Sequence, residues 1–308
     1  MCIRDRLKNL GWDINENGLN GAPPIKVVAH RQVHAAIKKA LAIIGYGYKN
    51  ITWVDSDNQG RVLLEKMPEI DSSTLVVLQA GNANSGAFDP LVDICKKANE
   101  VGAWVHIDGA FGLWAAATET LSHLTNGMEL ASSWSVDGHK TLNTPYDSGI
   151  ILCKDGPALV SALQSTGEYI IYSEKKDSML YTPEMSKRAR AIELWATMKY
   201  LGKEGINEMV TGFYNHATQF EKDMRSQGFR IMNDVVFNQV MIACETEKIT
   251  KSTLTNLQKS GVCWCGGSTW NNEAVIRVSI CSWATTEEDI QQTVNAFVLA
   301  RKEVMVNQ

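Results

Sequence analysis

Two side chains of this sequence have the chemistry to hold a cofactor, and each lies beside a short apolar run. Asp108 directly follows the run at residues 103–107, and small residues come after it. A carboxylate in that place can keep a heterocyclic nitrogen protonated. Lys140 lies between two further apolar runs, and its amine can form a Schiff base. Taken alone, Asp108 is also typical of a turn, and Lys140 of a solvated loop.

The pair together indicates a more specific chemistry than either residue alone. Pyridoxal phosphate (PLP) needs an amine to carry it and an acid beside its pyridine nitrogen, so that its ring can accept electrons from a substrate carbanion. Residues 81–86 (GNANSG) add a loop of small side chains, whose open backbone N–H groups allow a ligand to approach closely. We therefore expect a PLP site built from this loop, Asp108 and Lys140.

The elements that must position these residues follow a βαβ pattern. Asp89 is expected to cap a helix that has Pro90 at its first position and continues over residues 91–101. In such a sheet, ligands bind at the carboxyl ends of the strands, where Asp108 lies. The short apolar runs predict buried parallel strands at residues 74–79, 103–107, 134–136 and 149–153.

The pattern changes after residue 183, and we place a domain boundary there. The first domain is residues 1–183, and the second, a smaller α+β domain, is residues 184–308. The terminal helix is expected to open with Thr286 as N-cap and Asp289 three residues later, which approximates a capping box. The other elements expected in the second domain are a helix at 184–201 that ends at Gly202, a helix at 207–227, and strands near 235–243 and 275–280.

Composition excludes several classes of function. The 308 residues are 44% apolar and 21% charged, with a net charge of −4, as in a packed globule without a basic face for nucleic acid. No apolar run approaches the length of a membrane helix, and we expect a soluble, cytoplasmic protein. The seven cysteines are interpreted as reduced thiols. Cys263 and Cys265 alone cannot complete a metal site, so no metal is expected.

Three ordered motifs resemble a known family, the group II PLP-dependent amino-acid decarboxylases. They are residues 86–90 (GAFDP), 105–112 (VHIDGAFG) and 137–142 (DGHKTL). The 32 positions between Asp108 and Lys140 agree with the interval in that family. The resemblance implies the aspartate aminotransferase-like α/β fold (fold type I), with a mainly parallel sheet and a smaller C-terminal domain. It also implies a homodimer with a shared active site.

The resemblance assigns roles to residues of the large domain. Lys140 would hold PLP as a Schiff base, and Asp108 would pair with the pyridinium nitrogen. Four further residues would border the cofactor: Asn82, Ala83, Ala110 and His139.

His34 has two interpretations. Its position in the first turn of a helix with an apolar face indicates a packed or capping histidine. The resemblance of residues 30–40 (HRQVHAAIKKA) to a family segment implies instead that His34 stacks on the cofactor ring.

The remaining expectations concern the reaction. The resemblance places at Tyr169 the loop tyrosine that protonates the substrate carbon, with Tyr172 as a rival, and Arg277 is a candidate for binding the substrate carboxylate. The expected function is decarboxylation of an L-amino acid to an amine and carbon dioxide.

Two alternatives stay open. One is another fold-type I reaction, such as transamination, aldehyde-lyase cleavage or desulfuration. The other is an inactive fragment, because the phosphate-gripping segment of the family, which lies further upstream, is expected to be missing.

Overall fold

A six-stranded sheet forms the framework for the expected site. The computed structural model describes residues 2–164 and 177–306. The strand order is β2-β1-β3-β4-β5-β6; neighbours are parallel except β5 and β6, which are antiparallel. The strands are β1 (Lys26–His30), β2 (Ile51–Val54), β3 (Thr74–Gln79), β4 (Trp104–Asp108), β5 (Ser133–Asp137) and β6 (Gly149–Cys153).

Helices cover this sheet and continue into the rest of the chain. Side chains of β3 and β4 form a core with buried residues of α4, including Leu91 and Ile94. This packing fits the continuous apolar runs, because parallel strands are buried on both faces. The helices are α1 (Cys2–Asn9), α2 (Ile14–Asn17), α3 (Ala35–Ile43), α4 (Leu91–Glu100), α5 (Gly156–Leu163), α6 (Ala191–Ser226), α7 (Glu247–Ser260) and α8 (Glu287–Val306).

A second, antiparallel sheet lies in the C-terminal part of the chain. Its order is β7-β8-β10-β9. Phe220 of α6 and Phe297 of α8 are fully buried in the core that packs against it. The strands are β7 (Arg230–Ile231), β8 (Gln239–Ala243), β9 (Gly266–Trp270) and β10 (Glu273–Ser279).

Several predicted elements are confirmed. Strands β3 and β6 have the predicted bounds, and β4 and β5 differ from theirs by one residue at each end. The capping box of α8 is present, since Thr286 N donates to Asp289 Oδ2 at 2.8 Å and Asp289 N donates to Thr286 Oγ1 at 3.3 Å. In the described part of the chain, no helix is long and apolar enough to cross a membrane. The domain boundary after residue 183 stays a prediction.

Two predictions about the first sheet are wrong. β6 is antiparallel to β5, and Ile151 and Leu152 are about half exposed, because β6 is an edge strand with a neighbour on one side. Asp89 does not cap α4. Its buried carboxylate instead accepts hydrogen bonds from Val62 N at 2.9 Å and Gln79 N at 2.6 Å, which holds the end of β3.

The long helix α6 also differs from its prediction. It begins at Ala191, seven residues later than expected, and continues past Gly202 to Ser226. Gly202 interrupts the helical backbone with φ of 62°, so the predicted end at this glycine appears as a kink. Strands β1 and β2 and helix α7 were not predicted.

An aromatic cluster in the core of the second sheet is expected to contribute strongly to the free energy of unfolding. The ring of Phe297 lies 5.8 Å from that of Phe220 and 6.0 Å from that of Phe229. We expect Phe297→Ala to lower the free energy of unfolding by about 3–5 kcal/mol, because it leaves a cavity. Leu299→Ala, an exposed position on the same helix, should change it by less than about 0.5 kcal/mol. Urea denaturation measures both, and equal losses would contradict this assignment of the core.

Candidate functional site

A cavity of about 590 Å³ opens at the carboxyl ends of β3, β4 and β5. The parallel register explains its position, since Gln79 is paired with Asp108, and Asp108 with Ser135. All three side chains line the cavity. Strands β8 and β10 of the second sheet supply its opposite wall through Gln239 and Arg277. The site therefore lies between the two sheets.

Asp108 places a buried carboxylate in this cavity. It is the last residue of β4 and is 9% exposed. Ala110 N donates a hydrogen bond to its Oδ1 at 3.3 Å. Burial raises the pKa of Asp108, while the Ala110 N–H and the nearby charge of Lys140 lower it less. The carboxylate is therefore short of partners and suited to a cationic N–H group.

Lys140 lies across the same cavity on a short connection between β5 and β6. Its Nζ is 3.0 Å from Oδ2 of Asp137, the last residue of β5. The connection is tied to the segment after β4, because Thr141 Oγ1 donates to Phe111 O at 2.8 Å. Its two ends are joined to each other, since Gly138 N donates to Ser148 O at 2.8 Å. The ion pair keeps the amine in the cavity, where it can attack a carbonyl carbon once it loses its proton.

His34 lines the cavity and also caps α3. Its Nδ1 accepts a hydrogen bond from Ala36 N at 3.2 Å, which confirms the capping interpretation. An accepting Nδ1 leaves the proton of a neutral ring on Nε2. The cap holds the ring at the cavity wall, beside Ala36 and Ile37. Stacking of His34 on a cofactor stays a prediction.

Two residues predicted to border the cofactor hold loops instead of lining the cavity. His139 Nδ1 accepts from Ser148 N at 3.0 Å, and its ring lies 4.2 Å from that of Tyr146. Asn82 Oδ1 accepts from the backbone N of Asn84 and Ser85 at 2.9 and 3.2 Å. Both side chains thus hold the conformation of the loops in which they lie.

Three of the other predicted residues line the cavity, and their roles toward a cofactor or substrate stay predictions. Ala83 and Ala110 line the cavity with small side chains. Arg277, on β10, also lines it, and its Nη1 donates to Ala83 O at 2.7 Å. Tyr169 and Tyr172 lie outside the described residues.

Several polar residues of the cavity were not predicted from the sequence. His106 hydrogen-bonds Ser133 Oγ through Nδ1 at 2.9 Å and Ser135 Oγ through Nε2 at 3.3 Å. Desolvation lowers the pKa of His106 to about 4, so the ring is neutral at pH 7. Strand alternation was an available signal, because His106 precedes Asp108 by two positions and therefore faces the same side. Asp137 was detectable by its position three residues before Lys140.

These residues fit the pyridine half of PLP. Asp108 offers a carboxylate for the ring nitrogen, and Lys140 offers the amine. Ala110 and Ile37 offer apolar contacts for a flat ring. Among the described residues, the buried Asp108 carboxylate accepts one hydrogen bond, from Ala110 N, and this favours the fit, because a pyridinium N–H would supply a second donor.

Comparisons with known proteins agree with this chemistry. Residues 2–244 match the family model described as "Pyridoxal-dependent decarboxylase conserved domain". An aspartate 1-decarboxylase of Aliivibrio fischeri is 29% identical over 202 residues, covering 63% of this chain and 37% of the relative. Tyrosine decarboxylase 2 of Narcissus pseudonarcissus is 24% identical over 308 aligned residues, covering 92% and 62%. The chain thus spans about one to two thirds of the length of these relatives.

Solved structures share the fold. The Oryza sativa TDC crystallised with PLP and tryptamine superposes with a TM-score of 0.88 at 20% identity, covering 99% of this chain and 67% of that one. Mouse CSAD in apo form gives 0.87 at 20% identity, covering 96% and 68%. The fold class and the family resemblance predicted from the sequence are confirmed, and so is the PLP cofactor.

The raised pKa of Asp108 predicts that its ionised carboxylate lowers the stability of the folded protein. The folded protein binds a proton at Asp108 more readily than the unfolded chain does, so its stability falls as the pH rises through the folded pKa. We expect Asp108→Asn to raise the free energy of unfolding of the cofactor-free protein by about 1 kcal/mol at pH 8.

The gain should shrink as the pH falls below the folded pKa of Asp108, because the wild-type carboxyl is then neutral too. Urea denaturation across pH measures it. Asp93→Asn, an exposed position on α4, is the control and should change little. A loss of stability in Asp108→Asn at pH 8 would show that the buried carboxylate is better compensated than its contacts indicate.

Proposed function

The chain belongs to the pyridoxal-dependent decarboxylase family, and from this premise we propose that it removes the α-carboxylate of an L-amino acid as carbon dioxide, leaving an amine. The observation that carries the proposal is the pairing of Asp108 and Lys140 across one cavity, with the carboxylate buried and the amine held by Asp137. The family match favours decarboxylation over the other reactions that the same pair could serve.

In this mechanism, PLP supplies the electron sink for the pair of electrons released from the bond to the carboxylate. Asp108 holds a proton on the ring nitrogen, and its burial strengthens that interaction. Lys140 would hold the cofactor through its amine and would give up that bond to the amine of the substrate. Asp137, 3.0 Å from the lysine Nζ, would keep the free side chain in the cavity. His34 would offer its ring as a contact for the face of the cofactor.

We propose that the second sheet binds the substrate. Arg277 offers a guanidinium group to a carboxylate, and its hydrogen bond to Ala83 O fixes its direction. The relatives are named for substrates as different as aspartate and tyrosine, so the proposal covers L-amino acids as a class. Tyr169, with Tyr172 as rival, is proposed to return a proton to the substrate carbon.

Replacement of Lys140 tests the central assignment. We expect Lys140→Ala to lose the absorbance band of the lysine Schiff base after addition of PLP, because no other amine is in its place. Lys96→Ala, an exposed lysine on α4, should keep the band. Loss of carbon dioxide and amine production should accompany the spectral change. A Lys140→Ala protein that still shows the Schiff base would refute the assignment.

Product analysis of the wild-type protein separates the reaction types. Carbon dioxide with an amine indicates decarboxylation, whereas a keto acid or an aldehyde indicates another fold-type I reaction. No spectral change with PLP would support the alternative of a fragment that does not bind cofactor.

We further propose a homodimer in the cytoplasm, with domains divided near residue 183. Support for the dimer comes from apolar side chains exposed at the start of α6, where Ile192 is 63% and Trp195 is 65% exposed. Leu194, between them in sequence, packs against the core that β3, β4 and α4 form. The half-exposed Ile151 of the β6 edge also lines the cavity. A second copy on this side would cover apolar surface next to the site. The proposed cytoplasmic location is supported by cysteines that form no disulfide, as expected in a reducing compartment: Cys95, Cys244, Cys263, Cys265 and Cys281.

A charge on this surface should separate the subunits. We expect Trp195→Glu to shift the protein from dimer to monomer, because a carboxylate would be buried in the interface without a partner. Leu299→Glu, on an exposed position of α8, should leave the dimer intact. Light scattering coupled to size-exclusion chromatography gives the mass of each. A monomeric wild-type protein, or a dimeric Trp195→Glu variant, would contradict this interface.

A further inference from the structure

The side chain of Asn143 joins two segments on the lysine side of the cavity. Its Nδ2 donates to Lys140 O at 2.8 Å, Thr141 O at 3.1 Å and Cys281 O at 2.7 Å. Its Oδ1 accepts from Trp283 N at 2.9 Å. One amide thus contacts the lysine loop, defined as residues 138–149, and the 281–283 segment that follows β10.

The backbone at Asn143 is adapted to this role. Its φ of 54° lies in the left-handed region, where asparagine is enriched among residues other than glycine. The neighbouring Leu142 is buried in the large core, and Thr141 is bonded to Phe111 O. The loop is therefore anchored to the core of the first sheet directly after Lys140, and from this anchored base the Asn143 amide reaches the 281–283 segment.

The 281–283 segment is equally tied to the second sheet. Ile280 N donates to Asn238 O at 3.0 Å, and Asn238 Nδ2 donates back to Ile280 O at 3.1 Å. The strand just before it, β10, carries Arg277 into the cavity. A shift of the 281–283 segment relative to the lysine loop would therefore move Arg277 relative to Lys140.

The two sides of the cavity differ in the hydrogen bonds that join them to the second sheet. On the side of the 81–86 loop, several hydrogen bonds cross between the sheets: Arg277 to Ala83 O, Asn233 to Ser85 O, and Ser268 to Asn84 Oδ1. On the lysine side, among residues 2–164 and 177–306, the hydrogen bonds that join the lysine loop to the second sheet and its flanking segments are those of Asn143. Among the described residues, the hydrogen bonds on this side therefore all come from the side chain of Asn143.

We propose that Asn143 is a positioning residue that sets the spacing between Lys140 and the Arg277 strand, by clamping the lysine loop to the 281–283 segment. The consequence for catalysis rests on the proposed function, in which the substrate must reach both groups at once. The clamp itself is a property of the protein without cofactor. Asn143 acts through Lys140 and Arg277 and needs no contact with the substrate.

Neither aspartate nor glycine at position 143 could make all the contacts of the asparagine side chain. Aspartate has the same shape, but it lacks the N–H donors and would face the Lys140, Thr141 and Cys281 carbonyl oxygens with a negative charge. Glycine keeps the left-handed backbone but removes the amide. The two substitutions therefore remove the clamp in different ways while sparing the loop backbone.

The first test uses hydrogen exchange of the cofactor-free protein. We expect Asn143→Gly to speed exchange of the Trp283 amide about two- to tenfold, the range for loss of one hydrogen bond, because glycine removes the Oδ1 acceptor. Asn272→Gly is the matched control, because Asn272 is an exposed asparagine with φ of 65° at the distant β9–β10 turn. Its exchange at Trp283 should equal that of the wild type. Exchange at the wild-type rate in Asn143→Gly would overturn the clamp.

The second test uses steady-state kinetics with saturating PLP and an amino acid that the wild type decarboxylates. The Asn143 variants should raise KM about two- to tenfold, because Arg277 is no longer held at its spacing from Lys140. The value of kcat should change less, since Asp108 and Lys140 both stay on the large sheet. A fall in kcat at unchanged KM would overturn the positioning role.

The two tests also separate this proposal from the proposed function. If the wild type neither binds PLP nor turns over an amino acid, the proposed function fails, while hydrogen exchange still decides whether Asn143 clamps the lysine loop.

Discussion

The parallel register of β3, β4 and β5 is the constraint on which the site depends. It places Gln79, Asp108 and Ser135 side by side at one edge of the sheet. Because parallel strands all end at the same edge, side chains far apart in sequence come together there without any special local motif. The buried Asp89 reinforces this edge, since its carboxylate binds the backbone of Gln79 and of Val62.

Burial strengthens the electrostatic interactions of the Asp108 carboxylate and also makes its ionisation unfavourable. A carboxylate at a solvated edge would interact weakly with a ring nitrogen, whereas a desolvated one interacts strongly. The same desolvation raises the pKa of Asp108 and lowers that of His106, so the cavity wall carries an acid short of partners beside a neutral imidazole. Perturbed groups of this kind are concentrated at functional sites, where a ligand supplies the missing interactions.

The second sheet supplies the opposite wall of the site. It contributes Gln239 and Arg277 to the wall opposite Asp108. Its attachment is uneven, with several hydrogen bonds near the 81–86 loop and the amide of Asn143 near the lysine loop. Because the amine and the guanidinium belong to different sheets, their spacing is a property of that attachment. The geometry of the site is thus linked to the packing of the two sheets.

The sequence by itself determined most of the first sheet, since the apolar runs predicted β3 and β6 with their observed bounds through a local signal. Residue types and the family resemblance led to the prediction of Asp108 and Lys140, and the structure places both in one cavity. Residues whose roles depend on distant partners were beyond its reach. Asp89 resembled a helix cap, and its burial against Val62 could not be seen from its neighbours.

Only the tertiary structure decided the direction of β6, the loop-shaping roles of Asn82 and His139, and the contacts of Asn143. The physical reason is the same in each case. Strand direction, burial and hydrogen-bond partners depend on which elements pack together across the fold, and such contacts leave no periodic trace in the sequence. The sequence therefore specified the reactive groups, and the packing of the two sheets specified how those groups face one another.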